Sequence, residues 1–296
     1  MNIYSVISSN VRKTWIIMIL FILFISTLGF IYGKAFANAG FFYAGVAFCL
    51  ALLSSILSYY FSDQAILRVT QAKRIQFSDN PQLFRIVENL SIGLGIPMPK
   101  IYIIEDTSPN AFATGRDPQH ATIGVTSGLL QLLNKVELEG VIAHELSHIK
   151  NYDIRLMTVV AVLVGFVALL ADIFTRHIWN SGEKSHRGGS ALFVLIGIIF
   201  ALISPLIATL FQLAISRKRE FLADASGALL TRYPDGLANA LEKIASNKRP
   251  LKYATNATAH LFIVNPFRDK EISHWFSSLF NTHPPIEERI KILREM

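Results

Sequence analysis

The stretch His144-Glu145-Leu146-Ser147-His148 is an H-E-x-x-H pattern, and the residues around it, 136–152, predict one helix. Residues four apart share a face of an α-helix, so both imidazoles can bind one Zn²⁺ ion. Glu145 then leans toward the open coordination position, where it can accept a proton from a water molecule. Because the pattern is short, a surface helix with two histidines and a glutamate is the alternative.

A hydrolytic zinc site needs three protein ligands, and a second helical stretch, 217–224, supplies a candidate for the third. Glu220 completes a set of two histidines and one glutamate, which predicts one zinc ion per chain. Asp224 lies one turn further on and can accept the spare N–H of a ligating histidine, which we expect to be His144. The alternative is the solvated face of a charged helix, but the sequence has no other His-rich or Cys-rich cluster.

Four patches of the sequence occur in a family-like order and spacing. They read Asn-Ala-Phe-Ala-Thr-Gly at 110–115, Ala-His-Glu-Leu-Ser-His at 143–148, Arg-Glu through Ala-Asp at 219–224, and Thr-His-Pro-Pro through Arg-Ile at 282–290. Over nearly its whole length the chain resembles the HtpX family of membrane-bound zinc endopeptidases, which is related to the CAAX prenyl proteases. The resemblance implies a polytopic membrane protein, mainly α with a small β-sheet, whose gluzincin-like zinc protease domain is built from two soluble stretches.

The resemblance also implies hydrolysis of peptide bonds, with misfolded or damaged membrane proteins as substrates. Glu145 would act as the general base. The tetrahedral intermediate needs a donor for its oxyanion, and His283, held before two prolines, is our candidate. Arg289 would support His283 at the substrate. The alternative for His283 is a rigid structural turn.

A short strand near the metal would bind substrate. We expect Asn110, Ala111, Phe112 and Ala113 to form an exposed sheet edge, to which a peptide can add as an extra strand. Main-chain hydrogen bonds would then give affinity with little demand on the substrate sequence. An ordinary sheet edge without this role is the alternative.

Apolar residues make up 52% of the chain and are concentrated in four runs. These runs are 15–32, 41–60, 156–171 and 191–216. Three are long enough to cross a bilayer, and the sixteen-residue run 156–171 is a short span or a re-entrant helix. The predicted organisation is a transmembrane hairpin (1–60), a first catalytic part (61–155), a second transmembrane pair (156–216) and a second catalytic part (217–296).

The net charge of +7 comes from lysines and arginines that flank the apolar runs. Their distribution predicts that both termini and the active site lie on the cytoplasmic side, in contact with anionic lipid head groups. The resemblance implies that the membrane is a bacterial inner membrane. It is weak evidence for nucleic acid, which we do not expect as a partner. The one cysteine, Cys49, excludes an intramolecular disulfide.

The two soluble stretches contain recognisable helices and strands. The first has a predicted helix at 81–94, strands at 100–105, 110–115 and 121–125, and then the H-E-x-x-H helix. The second has predicted helices at 217–230, 234–246 and 286–294. Because the zinc ligands come from both stretches, the two must meet in space.

Two other classes of function are compatible with parts of this pattern. A CAAX-type processing protease that acts inside a chamber of spans needs more membrane helices than the chain supplies. A transporter or metal-sensing membrane protein would use the same ligands without needing Glu145 as a base. The sequence carries no signal for oligomeric state or for a particular substrate.

Overall fold

The computed structural model describes residues 3–36, 38–181, 217–247, 249–252, 254–255, 258–264 and 284–296. The predicted apolar run 191–216 and His283 lie outside the described residues. The described parts are mainly α-helical with one small sheet, as the sequence predicts.

Two long helices form an N-terminal hairpin, α1 (Ile3–Phe36) and α2 (Gly40–Val69). The stretches Ser5–Lys34 and Gly40–Val69 are long and apolar enough to cross a membrane, judged by length and composition. Many large apolar side chains on both helices, such as Leu23 and Phe41, are exposed. Exposed apolar surface of this extent is expected where lipid covers it.

A third long helix, α6 (Asp153–Ser181), packs against the hairpin. It contains the predicted run 156–171 but is longer than that run, with 29 residues. Its residues Leu156, Val160 and Leu163 are buried in one apolar cluster with residues of α1 such as Phe21. The run therefore belongs to a continuous helix and not to an isolated short segment.

The sheet has the strand order β1-β2-β4-β3, in which β2 and β4 are parallel and the outer strands are antiparallel to their neighbours. The strands are β1 (Lys73–Arg74), β2 (Lys100–Ile104), β3 (Ala111–Gly115) and β4 (Ala121–Thr126). The three longer strands agree with the sequence prediction. β1 was not predicted, because two residues are too short to show an alternating pattern.

Between β1 and β2 lies the predicted amphipathic helix α3 (Pro81–Leu94). The Asn80 side chain accepts a hydrogen bond from the backbone N–H of Leu83 and caps its first turn. Gly95 ends the helix with a φ of 67°, which is a left-handed conformation that favours glycine.

The H-E-x-x-H helix α5 (Lys135–Lys150) follows β4 and the short helix α4 (Ser127–Leu132). Asn134 and Glu137 form a reciprocal capping box that fixes its start. Every residue from 140 to 149 is buried, so this part of α5 has no solvent face. A surface helix with fortuitous histidines is therefore excluded.

The second soluble stretch contributes α7 (Arg217–Thr231), α8 (Pro234–Ser246) and α9 (Ile286–Arg294). α7 and α8 pack on α5, and α9 packs on α8. Val141 and Leu146 of α5 share one hydrophobic core with Leu241 and Leu293. The two soluble stretches therefore form a single core around the H-E-x-x-H helix.

Candidate metal centre

Three buried side chains converge at the junction of α5 and α7. The Nε2 atoms of His144 and His148 are 3.1 Å apart. Glu220, in the first turn of α7, has Oε2 at 3.8 Å from Nε2 of His144 and Oε1 at 3.5 Å from Nε2 of His148. One donor atom from each residue lies within 4.8 Å of the others. The structure thus brings together the three ligands that the sequence predicts.

These separations suit a zinc ion. Two zinc–ligand bonds of about 2.0–2.1 Å at a tetrahedral angle hold their donor atoms about 3.3 Å apart, close to the observed distances. A direct N–H···N bond between the two rings would also give a short separation. Each ring, however, turns its other nitrogen toward a carboxylate, which favours a proton on Nδ1. Once both rings are neutral, their Nε2 lone pairs face each other and are available to a metal ion.

An aspartate carboxylate lies against the outer nitrogen of each candidate ligand ring. Oδ1 of Asp224 lies 2.8 Å from Nδ1 of His144, which is the ring that we expected it to orient. Oδ2 of Asp153 lies 3.0 Å from Nδ1 of His148. Sequence reasoning missed Asp153, and its only signal was an acidic residue in the first turn of the next helix, five positions after His148.

Arg289 does not have the position that we expected from the sequence. It is fully buried, and its Nε and Nη2 donate to Asp224 at 2.8 and 2.7 Å, while Nη1 donates to the carbonyl of Ile263 at 3.1 Å. All three guanidinium nitrogens therefore have partners within the protein, and contact of Arg289 with substrate remains a prediction. Arg289 neutralises and orients the carboxylate that faces His144.

Glu145 is buried beside the two histidines, and burial raises its pKa to about 7. The neighbouring charge of Glu220 raises the pKa further, whereas His148 and a hydrogen bond from the backbone N–H of Ala113 lower it. A carboxyl group with a pKa near neutrality is well matched to accepting and returning a proton.

The pKa values of the two histidines are shifted in opposite directions. Burial lowers the pKa of His144, and Asp224 offsets only part of that effect. Burial also acts to lower the pKa of His148, but the hydrogen bond to Asp153 and the charge of Glu220 outweigh it and raise the pKa to about 9. Metal ligation requires both rings to be neutral.

The edge strand β3 runs beside the metal centre, but it is not exposed as we expected. All five of its residues are buried, and the backbone N–H of Ile263 donates to the carbonyl of Ala111 at 3.1 Å. Asn110 donates through its side chain to the carbonyl of Val264, and the Phe112 ring packs edge-on against Phe262. The C-terminal stretch thus covers the first part of the strand. Because that part is covered, exposure of the whole edge was the wrong expectation.

The site has the composition of a metallopeptidase centre of the H-E-x-x-H type. It combines a buried pair of helical histidines, a glutamate from a second helix and a further buried glutamate beside them. The family model for Peptidase family M48 matches residues 78–296, and the chain belongs to that family. It is therefore a metalloprotease, a hydrolase that acts on peptide bonds.

The chain is similar over its full length to curated members of this family. It is 47% identical over 300 residues to the Protease HtpX homolog of Dictyoglomus turgidum, covering 99% of this chain and 94% of that protein. It is also 47% identical over 296 residues to the Protease HtpX homolog of Tropheryma whipplei strain Twist, with coverage of 99% and 98%. These relatives and the two apolar helices together indicate a membrane protein.

A solved structure shares the fold. The crystal structure of S. mikatae Ste24p matches with a TM-score of 0.51 and 22% sequence identity, covering 94% of this chain. This chain spans 62% of the length of that protein, and at this identity the likeness concerns the fold alone.

Proposed function

We propose that the chain is a zinc-dependent endopeptidase of the bacterial inner membrane, which cleaves misfolded or damaged membrane proteins at a site facing the cytosol. The observation that carries the proposal is the buried set of His144, His148 and Glu220 with Glu145 beside it. A site that only stores or senses zinc needs no general base, whereas Glu145 is a buried carboxyl group next to the candidate ligands.

His144, His148 and Glu220 would hold the zinc ion, with Asp224 and Asp153 fixing the two rings from behind. When bound, zinc supplies a Lewis acid for the scissile carbonyl and makes the attacking water more acidic. Three protein ligands leave one coordination position open, which is typical of catalytic rather than structural zinc.

Glu145 would act as the general base and then as the general acid. It accepts a proton from the attacking water and returns it to the leaving amine. Burial raises the pKa of Glu145, which favours uptake of the proton from water. The backbone N–H of Ala113 orients the carboxylate through a hydrogen bond.

The outer edge of β3 supports a substrate position. The backbone carbonyl of Asn110 accepts a hydrogen bond from β4. In an antiparallel pair, successive residues direct their N–H and C=O groups alternately toward and away from the partner strand. The main-chain groups of Ala111 and Ala113 therefore point away from β4. The backbone carbonyl of Ala111 already accepts a hydrogen bond from the N–H of Ile263. Because the N–H of Ala113 is bonded to Glu145, a peptide would pair with the carbonyl of Ala113 and with the residues after it. Asn110 and Phe112 would support the strand from within.

His283 remains our candidate donor to the oxyanion. Pro284 and Pro285 immediately precede α9, the helix that carries Arg289. Arg289 is in turn bonded to Asp224 behind the ligating His144. This linkage is the reason for choosing His283, the residue before Pro284, as the candidate.

The orientation in the membrane is proposed from the distribution of charge. Lysines and arginines flank the apolar runs, which favours the cytoplasmic side for both termini. α2 ends at Val69, and β1 of the catalytic part begins at Lys73. The short connection supports a site close to the membrane, where unfolded segments of membrane proteins emerge.

The test uses purified full-length protein in detergent. We expect one zinc ion per chain by elemental analysis, cleavage of casein, and loss of cleavage in a zinc chelator with recovery on adding zinc. A transporter or metal sensor would bind zinc without cleaving casein, and that result would replace the peptidase proposal. Cleavage that persists at full rate after complete removal of zinc would also overturn it.

A further inference from the structure

Asn10 is a buried polar residue in α1, near the start of the first apolar stretch. Its side-chain Nδ2 donates to the backbone carbonyl of Asn151 at 3.0 Å and to Oδ1 of Asp153 at 2.6 Å. Its Oδ1 accepts a hydrogen bond from Nη1 of Arg219 at 3.2 Å. Because both ends of the amide are bonded to other elements, its orientation is fixed.

Asp153 divides its two carboxylate oxygens between this network and the metal centre. Oδ2 lies 3.0 Å from Nδ1 of His148, and Oδ1 receives Asn10 and lies 3.5 Å from Nε of Arg219. Asp153 is itself buried at the first turn of α6. A buried carboxylate needs donors on each oxygen, and the donors decide which way it points.

We infer that Asn10 is a positioning residue of the metal centre, acting through Asp153 on His148. The side-chain amide of a candidate membrane span thereby completes the hydrogen bonding behind a zinc ligand. The same network contains Arg219, the residue before the third ligand Glu220. The first helix of the hairpin is therefore part of the metal centre as well as a membrane anchor.

A purely structural role for Asn10 makes a different prediction. If its amide only docks α1 onto α6 and α7, its loss lowers the stability of the fold but leaves the affinity for zinc unchanged. If it positions Asp153, its loss lowers zinc affinity, and this effect disappears once Asp153 can no longer orient His148. A double-mutant cycle separates the two roles.

The variants are Asn10→Leu, which keeps the branched shape without the amide, Asp153→Asn, and the combination of both. Thr14→Val is the matched control, because Thr14 is equally buried on α1 and its hydroxyl donates to the backbone carbonyl of Asn10, not to the side-chain amide that bonds Asp153. The measurements on full-length protein in detergent are zinc affinity by chelator competition, the absorption spectrum of bound Co²⁺, and the melting temperature of the metal-free protein.

Removing a carboxylate that orients a ligand typically weakens metal binding by about ten- to a hundredfold, and we expect this of Asp153→Asn. One step further out, we expect Asn10→Leu to weaken zinc binding by about threefold to tenfold and to change the Co²⁺ spectrum. In the Asp153→Asn background the same change should have less than about a twofold effect, because its route to His148 is gone. Thr14→Val should bind zinc as the wild type does.

The inference fails if Asn10→Leu binds zinc as tightly as Thr14→Val does, or if its effect is equally large with and without the Asp153 carboxylate. Asn10→Ser carries the same test, with the same criteria, should the leucine variant not fold. The inference rests on the proposed zinc site, but the two can fail separately. If the wild-type protein binds no zinc, the proposed function is wrong. If the zinc affinity is the same with and without the Asn10 side chain, only this inference is wrong.

Discussion

Substitutions in the ion pair between Arg289 and Asp224 should change the stability of the fold and the affinity for zinc by different amounts. Both side chains are 1% exposed, and two hydrogen bonds of 2.7 and 2.8 Å join them. In Arg289→Met the Asp224 carboxylate stays buried without its cation, which typically costs about 3–5 kcal/mol. At about 2–4 °C for each kcal/mol in a protein of this size, the melting temperature should fall by roughly 6–20 °C.

Replacing both partners should restore most of that loss. In the double variant Arg289→Met with Asp224→Leu, the Asp224 carboxylate is no longer buried without its cation, and well-packed apolar pairs are often as stable as the buried ion pairs they replace. The same variant removes the carboxylate behind Nδ1 of His144, so zinc affinity should be about ten- to a hundredfold weaker. Melting curves of metal-free protein and chelator competition on the same samples give both quantities.

Two results would refute this reasoning. A double variant that melts as low as Arg289→Met means that the lone carboxylate is not the source of the instability. A double variant with wild-type zinc affinity means that Asp224 does not orient His144.

The same pair predicts a dependence of stability on pH in the metal-free protein. Burial acts to raise the pKa of Asp224, but the charge and hydrogen bonds of Arg289 outweigh it and lower the pKa from 3.8 to about 2. A lowered pKa stabilises the fold above about pH 4 and loses that contribution as the pH falls toward 2, a change of about 2 kcal/mol. In Arg289→Met this acid-labile contribution is absent, so the stability advantage of the wild type should shrink over the same pH range. An advantage that stays constant from pH 5 to pH 2 would contradict the assignment.

Three further predictions concern helix packing, the oxyanion and topology. A Cβ at Gly227 would lie 3.1 Å from the backbone nitrogen of His144, so Gly227→Ala should shift α7 by a few tenths of an ångström and weaken zinc binding. Gly140→Ala, which crowds the backbone of α8 instead, should lower the melting temperature and leave zinc affinity unchanged. His283→Ala should lower turnover by about a hundredfold or more with little change in peptide affinity, and a variant that is merely less stable excludes it from the mechanism. With Cys49 removed, a cysteine placed at residue 120 should resist a membrane-impermeant reagent outside intact cells, and rapid labelling there would reverse the proposed orientation.

Much of the fold could be predicted because local patterns determine it. The helix α3 has a capping Asn80 and a terminal Gly95, and the strands β2 and β4 are short apolar segments bounded by polar residues. The cluster of His144, His148 and Glu220 could be predicted because the spacing of four within each helix is itself the geometric signal.

The remainder depends on contacts between residues that are distant in sequence. Asp153 and Asn10 are 143 positions apart, and no periodicity in either segment indicates that they meet. Arg289 was expected to support His283 because it lies six residues after it, and only the position of Asp224 beside it explains its burial. The covering of β3 by the segment around Ile263 likewise arises from tertiary packing, not from the strand itself.

The central claim is that a zinc site with Glu145 as its base cleaves peptide bonds. The most direct test compares Glu145→Gln with the wild type, measuring zinc content and casein cleavage on the same preparations. We predict one zinc ion per chain in both proteins and a loss of cleavage of about a hundredfold to ten-thousandfold in the variant. A variant that holds zinc and cleaves casein at a rate close to that of the wild type would contradict the claim.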